Sequence, residues 1–146
     1  MAKIVSVCTS EQKGTQKYPV ASAVLKVNFG MIGDAHAGPE DNIREISLLA
    51  IESIQRLNSE GFNFKVGDFA ENLTTCGVDL VSLPVGTKMK VGKDVVLQVT
   101  QIGKKCHTGC AVFKQAGKCI MPKEGIFAWV ISGGMVSPED EIVVVK

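Results

Sequence analysis

Short runs of alternating apolar and polar residues, each closed by glycine or proline, constrain this chain more than any other feature. Lys3-Ile4-Val5-Ser6-Val7-Cys8-Thr9 alternates, and a period of two predicts a strand that buries one face. Cys8 then lies near the strand's end and reads as a small buried hydrophobe. Glu11 to Pro19 is polar and turn-like, and Ala21 to Phe29 alternates again as a second strand. Lys88 to Val91 and Asp94 to Thr100 predict a pair joined through Gly92-Lys93. Ile126 to Ile131 and Glu141 to Val145 predict closing strands, with Gly133-Gly134 and Ser137-Pro138 as turns. One stretch has helical spacing. Leu48, Ile51, Ile54 and Leu57 fall three apart, with Ser47 placed as N-cap and Gly61 as the left-handed stop. Thr108 to Gln115 has room for a short helix. The expected class is mainly β with a few helices (α+β), a barrel or sandwich with helical trimmings rather than a doubly wound sheet.

With 146 residues, one domain over 1–146 is expected, large enough to bury a core without disulfide or metal staples. Aromatic residues make up only 5%, so that core must be aliphatic. A net charge of +1 gives no reason to expect nucleic acid as a partner. No apolar run approaches the ~20 residues needed to cross a bilayer, so no membrane is expected either. The N-terminus reads directly into a strand and not as a signal peptide, which leads to the expectation of a cytoplasmic protein. In that reducing compartment the five cysteines are expected as thiols, metal ligands or reactive groups rather than disulfides.

Charge and thiols concentrate in one place. Gln101 to Lys123 holds five lysines and no Asp or Glu, about +5 in a chain of net +1. Such a patch suits a small anionic ligand better than a long polyanion. Cys106 follows a predicted strand and precedes a predicted helix. The positive end of a helix dipole and neighbouring Lys105 would both favour its thiolate, the nucleophilic and metal-binding form. Cys110 would stay on the same side of that helix. Cys106 and Cys110 are therefore candidate metal ligands as well. Alternatively, Cys106, His107, Cys110 and Cys119 form a Cys₃His zinc set, although without the usual Cys-x₂-Cys knuckle spacing. A redox pair of Cys106 and Cys110 is the weaker option, since no Cys-x-x-Cys is present.

Two remote stretches stand out beside this one. Gly30 to Asp41 is a long Gly-, Asp- and Pro-rich loop holding Gly33-Asp34-Ala35-His36, followed by Arg44 and Ser47-Leu48-Leu49. Gly67-Asp68-Phe69-Ala70-Glu71-Asn72-Leu73-Thr74 is bounded by Gly67 and Gly77. With Leu83-Pro84-Val85-Gly86-Thr87, Val91-Gly92 and the Gln101-to-Cys106 transition, their order and spacing resemble the MOSC domain. That is the C-terminal domain type of molybdenum cofactor sulfurases. Met121-Pro122-Lys123-Glu124-Gly125-Ile126-Phe127 and the Cys-His-x-x-Cys run are similar to a short bacterial branch of the family.

The resemblance implies a MOSC-type β-barrel and a cysteine that carries sulfur or binds a metal–sulfur species, matching Cys106. It implies molybdenum cofactor, a molybdopterin-type anion, as ligand or substrate, with a cysteine desulfurase or a molybdoenzyme as partner. No bound pyridoxal phosphate is expected, because the sulfur-extracting domain of full-length sulfurases has no room in this chain. Many members carry Gln-Pro-Arg-x-Pro-Cys, whereas Gln101-Ile102-Gly103-Lys104-Lys105-Cys106 stands here. The lysines keep the positive charge but not the planar guanidinium fork. On this reading Lys104, Lys105 and Arg44 attract phosphate and oxo groups. His36 donates a hydrogen bond or exchanges a proton, and Glu71 and Asn72 line the pocket. The chain is then a sulfur carrier or transferase component, a non-catalytic module binding molybdenum cofactor or molybdate, or a zinc-stabilised structural domain.

Overall fold

Alternation along the chain becomes one continuous ladder in the computed structural model, which describes residues 2–10, 17–34, 45–102 and 124–145. The strands are β1 (Lys3–Thr9), β2 (Tyr18–Val20), β3 (Ala23–Lys26), β4 (Gly30–Met31), β5 (Ile46–Ala50), β6 (Leu73–Cys76), β7 (Lys88–Val91), β8 (Val95–Ile102), β9 (Ile126–Ser132), β10 (Gly134–Val136) and β11 (Ile142–Val145). A helix α1 (Ile51–Asn58) and a 3₁₀ turn (Leu80–Ser82) complete the elements among the described residues. Eight strands form a sheet in the order β11-β7-β8-β9-β5-β6-β1-β2, and β10-β3-β4 form a second. Among the described strands only β5 and β6 pair in parallel. A parallel pair needs a crossover connection rather than a tight hairpin, and α1 with the following loop supplies it.

The main core lies between one face of the large sheet and the small one. Ile4, Val7, Leu48, Leu73, Leu97 and Val130 meet Leu25, Met31 and Val136 there. Burying a side chain of this size contributes roughly 1.5–3 kcal/mol. A second cluster occupies the opposite face, where Leu49 and Phe127 pack with Ile54 and Leu57 of α1 and with Phe64 and Phe69. Leu48 and Leu49 are both fully buried, one in each cluster.

That two-sided burial explains where the helix begins. Ser47 is not an N-cap: it sits inside β5, and α1 starts after Ala50 with no side-chain cap. The spacing of three joins Leu48 of a strand to Ile54 and Leu57 of a helix, because a continuous apolar run has no period to separate them. Gly61 does adopt φ +106° as the stop. The β7–β8 hairpin forms as expected, in register from Lys88↔Gln98 to Val91↔Val95. The expected strand over 21–29 is shorter: β3 ends at Lys26, and Asn28 takes φ +59° in the turn that follows. Gly133-Gly134 is not a simple turn either, since Gly134 opens β10, which pairs with β3.

The closed barrel is also corrected. Among the described residues the large sheet ends at β11 and β2, and β11 reaches β1 only through one bridge, Lys3↔Glu141. The amide of Ile4 donates to Asp140 (2.9 Å), that of Glu139 to Ile4 (2.8 Å) and that of Ile142 to Ala2 (2.9 Å). The rest of β1, from Val7 to Thr9, pairs with β2, so no full β1–β11 ladder forms.

Gly133 marks the tightest approach of the small sheet. A Cβ there would lie 2.6 Å from the carbonyl oxygen of Leu25. Gly133→Ala should therefore push β10 from β3 and destabilise the protein by about 1–3 kcal/mol. Urea unfolding checks this, with the midpoint falling at unchanged slope.

Candidate functional site

Three strands meet at a buried amide. The backbone N–H of Cys8 donates to the carbonyl of Asn72 (2.6 Å), and Asn72 returns a bond from Nδ2 to the carbonyl of Cys8 (3.2 Å). On its other side, Asn72 Oδ1 accepts from the Ser47 amide (3.0 Å) and hydroxyl (3.2 Å). The Asn72 amide donates to Ser47 Oγ (3.0 Å) and to the Ser47 carbonyl (3.1 Å). Both polar ends of this side chain thus hold β1 and β5 against the start of β6. Asn72 shapes the wall through the backbone it fixes.

The preceding turn is equally closed. Gly67 has φ +85°, and a Cβ on it would meet the Lys17 carbonyl oxygen at 2.2 Å and the Cys8 thiol at 3.3 Å. Only glycine lets the chain pass here. Ala70 takes φ +64° without being glycine, a conformation costing roughly 1–2 kcal/mol. Its reward is the position of Glu71, which is fully buried. Glu71 Oε2 accepts from the Gly67 amide (3.0 Å) and the Thr74 hydroxyl (2.7 Å). Oε1 is buried and has no hydrogen-bond partner among the described residues. Burial raises the Glu71 carboxyl above its usual 4.5, opposed by the bonds from Gly67 and Thr74. A carboxyl so placed favours the neutral acid.

A buried ion pair adjoins the end of β1. Lys17 Nζ lies 2.7 Å from Asp34 Oδ1, and both side chains are 0% exposed. The same oxygen accepts from the Ser10 amide (3.1 Å) and the Thr9 hydroxyl (3.2 Å). The sequence assigns Lys17 no role. No periodic signal in the polar stretch 11–19 marks Lys17 for burial. The nearby Cys8 thiol has Ser6 Oγ at 3.4 Å, and burial pushes it up to about 11. It is the inert, buried cysteine the sequence suggests.

Of the residues expected at the site, Glu71 and Asn72 are described and adjoin the buried cluster around Cys8. His36, Arg44, Lys104, Lys105, Cys106 and Cys110 lie outside the described residues, as do His107, Cys119 and the helix expected over 108–115. The strands that lead toward them are described. Gln101 pairs with Phe127 and Phe127 with Ser47, so Gln101, Phe127, Ser47, Asn72 and Cys8 form one row across five strands. Among the described residues, no three His, Cys, Asp or Glu side chains converge as metal ligands. No described helix is long and apolar enough to cross a membrane.

A cleft of about 430 Å³ opens between α1 and the 3₁₀ turn, lined in part by Glu52, Ser53, Arg56, Asp79, Val81 and Glu124. Ser53 Oγ donates to Glu124 (2.8 Å), which also pairs with Arg56. Glu52 accepts from the amide of Gly77 (2.9 Å). Glu124 is the first described residue after the lysine- and cysteine-rich segment, and this knot holds it to α1. No signal in the sequence marks the cleft.

A family model for the MOSC domain matches residues 33–143. Among solved structures, the fold is similar to the YuaD protein from Bacillus subtilis, with a TM-score of 0.80 and 20% identity over 97% of this chain and 93% of that one. YiiM from Geobacillus stearothermophilus follows at TM-score 0.71 and 22% identity, covering 100% of this chain and 76% of that one. YiiM from Escherichia coli has TM-score 0.69 and 20% identity, covering 100% and 70%. No curated protein sequence matches the chain.

Two predictions follow from the buried charges. Asp34→Ala leaves Lys17 without this partner in a dry site and should cost about 3–5 kcal/mol, read by chemical denaturation. For Glu71 the sign is set by its raised pKa: the folded protein keeps the proton after the unfolded chain has lost it. Stability from this group is thus full below about pH 4.5 and is lost as pH rises through the folded value. Glu71→Gln should remove that decline. Unfolding free energies of the two proteins across pH 4 to 8 should then diverge toward high pH, with the variant the more stable.

Proposed function

Since this chain belongs to the MOSC domain family, we propose that it carries sulfur on Cys106 for a molybdopterin-type anionic ligand. The relation to molybdenum cofactor holds for the family as a whole; the sulfur step and the residues are the proposal. A persulfide donor such as a cysteine desulfurase supplies the sulfur. The Cys106 thiolate attacks the donor's outer sulfur, an S–S bond forms on Cys106, and the donor leaves as its own thiolate. Lys104, Lys105 and Arg44 neutralise the ligand's phosphate and oxo groups, His36 donates a hydrogen bond or moves a proton, and Cys110 stands by as a second thiol. Glu71 and Asn72 support the wall, with Asn72 holding it by its backbone.

The observation that carries this reading is the row from Gln101 to Asn72. Three strand spacings of ~4.8 Å separate them, about 14 Å. Five residues of extended chain reach up to ~17 Å, so the length from Gln101 to Cys106 spans that distance. His36 follows Asp34 by two residues, and Asp34 is bonded at the end of β1, beside Cys8 of the same row. Family stretches far apart in sequence therefore have described flanks that meet at one region of the sheet. The contrast with Cys8 supports the choice of thiol: burial silences Cys8, whereas the sequence around Cys106 is basic and free of carboxylates.

The test is direct. After incubation with a cysteine desulfurase and cysteine, mass spectrometry should find a persulfide on Cys106 and none on Cys8, and Cys106→Ser should abolish it. Label on Cys110 or Cys119 with Cys106 unmodified would move the site. Retained molybdopterin binding with no label on any cysteine would make the chain a binding module instead.

A further inference from the structure

The parallel pair places two chain exits side by side. β5 ends at Ala50 and β6 at Cys76. The chain after β5 enters α1, and the chain after β6 enters the 77–81 stretch. The cleft of about 430 Å³ opens between these two exits. Ligands of α/β units bind in the crevice outside the carboxyl ends of parallel strands, and small-molecule sites typically measure ~300–1,000 Å³. Ala50, Val78, Leu80 and Val81 give the cleft an apolar wall, with Val81 40% exposed. Beside that wall lies Thr75, the register partner of Ala50. Thr75 is fully buried, and its hydroxyl has no hydrogen-bond partner among the described residues. No described residue of the sulfur-carrier reading lines the cleft.

Charge selects what the cleft takes. Among its described lining residues, Arg56 is the one cation, and it pairs with Glu124. Glu52 and Asp79 remain. One oxygen of Glu52 accepts from the Gly77 amide, and no described cation pairs with either carboxylate. The positive end of α1 does not reverse the balance. Glu52 already stands in its first turn, and Glu124 accepts from Ser53 there. An anionic ligand would therefore meet like charge. A metal ion lacks a coordinating set, since no three described His, Cys, Asp or Glu side chains converge as ligands. We propose that the cleft binds a small organic cation, a protonated amine on a compact apolar body. Glu52 and Asp79 attract the ammonium, whose donors need acceptors, and Val78, Leu80 and Val81 pack the body.

Cyclohexylamine is the probe, with cyclohexanol and cyclohexanecarboxylate as neutral and anionic counterparts of the same shape. In the isotope-labelled whole chain, the backbone amide signals of Gly77, Val78 and Val81 should move saturably with the amine. The alcohol and the carboxylate should move them far less. Asp79→Asn, which keeps the Glu52–Gly77 bond, should weaken the amine roughly fivefold or more. Glu52→Gln carries the same test if Asp79→Asn does not fold. Val81→Trp, which leaves both charges in place, should block binding by filling the cleft. Equal responses to amine and alcohol, a preference for the carboxylate, or unchanged affinity in Asp79→Asn would overturn the proposal. So would the absence of any saturable shift with the amine. A saturable shift of the same amides by calcium alone would overturn it too, by making the cleft a metal site.

Discussion

Asn72 stands where β1, β5 and β6 meet, and the register of all three depends on how its carboxamide is satisfied. Parallel neighbours such as β5 and β6 have no hairpin to fix their alignment, so something other than a turn must do it. The carboxamide is suited to this because it carries both donors and an acceptor. Its oxygen takes two bonds from Ser47 and its nitrogen gives one to the Cys8 carbonyl. Every partner is buried, and each group left unsatisfied would cost about 1–3 kcal/mol. A slip of one residue would break these bonds together and also turn Leu48 and Leu49 to the wrong clusters. Polar and apolar constraints thus select the same register.

Around that amide the fold gathers groups that are expensive to bury: the Lys17–Asp34 pair, the Glu71 carboxyl with its unpartnered oxygen, and the Cys8 thiol. An aliphatic core of the same volume would be at least as stable. What the polar groups add is definition of geometry at the end of β1 and in the 67–72 turn, where Gly67 and Ala70 accept unusual backbone angles. Strained backbone persists where the surroundings over-determine it.

Much of this was legible in the sequence, and what was not has a physical reason. The β7–β8 hairpin stands out because it is buried on one face only, so its pattern alternates. β5 is buried on both faces, which erases the alternation and lets Leu48 join a false helical stripe. β10 and β4 are too short for any period to show. Glu71-Asn72 was singled out from its motif, but the sequence does not tell a side chain that touches a ligand from one that holds backbone. Lys17 was invisible, because a lysine's burial depends on a partner, Asp34, seventeen positions away. The barrel expected from the family ends in a single bridge because β1 divides its edge between β2 and the 139–142 segment, a competition that exists only in three dimensions.

β8 connects the core to the cysteine segment. Its inward residues, Val95, Leu97 and Val99, are core, which fixes the strand and leaves its other positions free for specific use. Gln98 lies in the row with Lys88 and Trp129, and Gln101 in the row with Ser47 and Asn72. The two positions are three residues apart, and Cys106 follows the second by five. The strand fixed by the core therefore leads directly into the cysteine segment. For a sulfur carrier this placement matters, because a persulfide must meet its donor and its acceptor in turn. Burial holds the Cys8 thiol up at about 11, so that thiol does not compete for the sulfur.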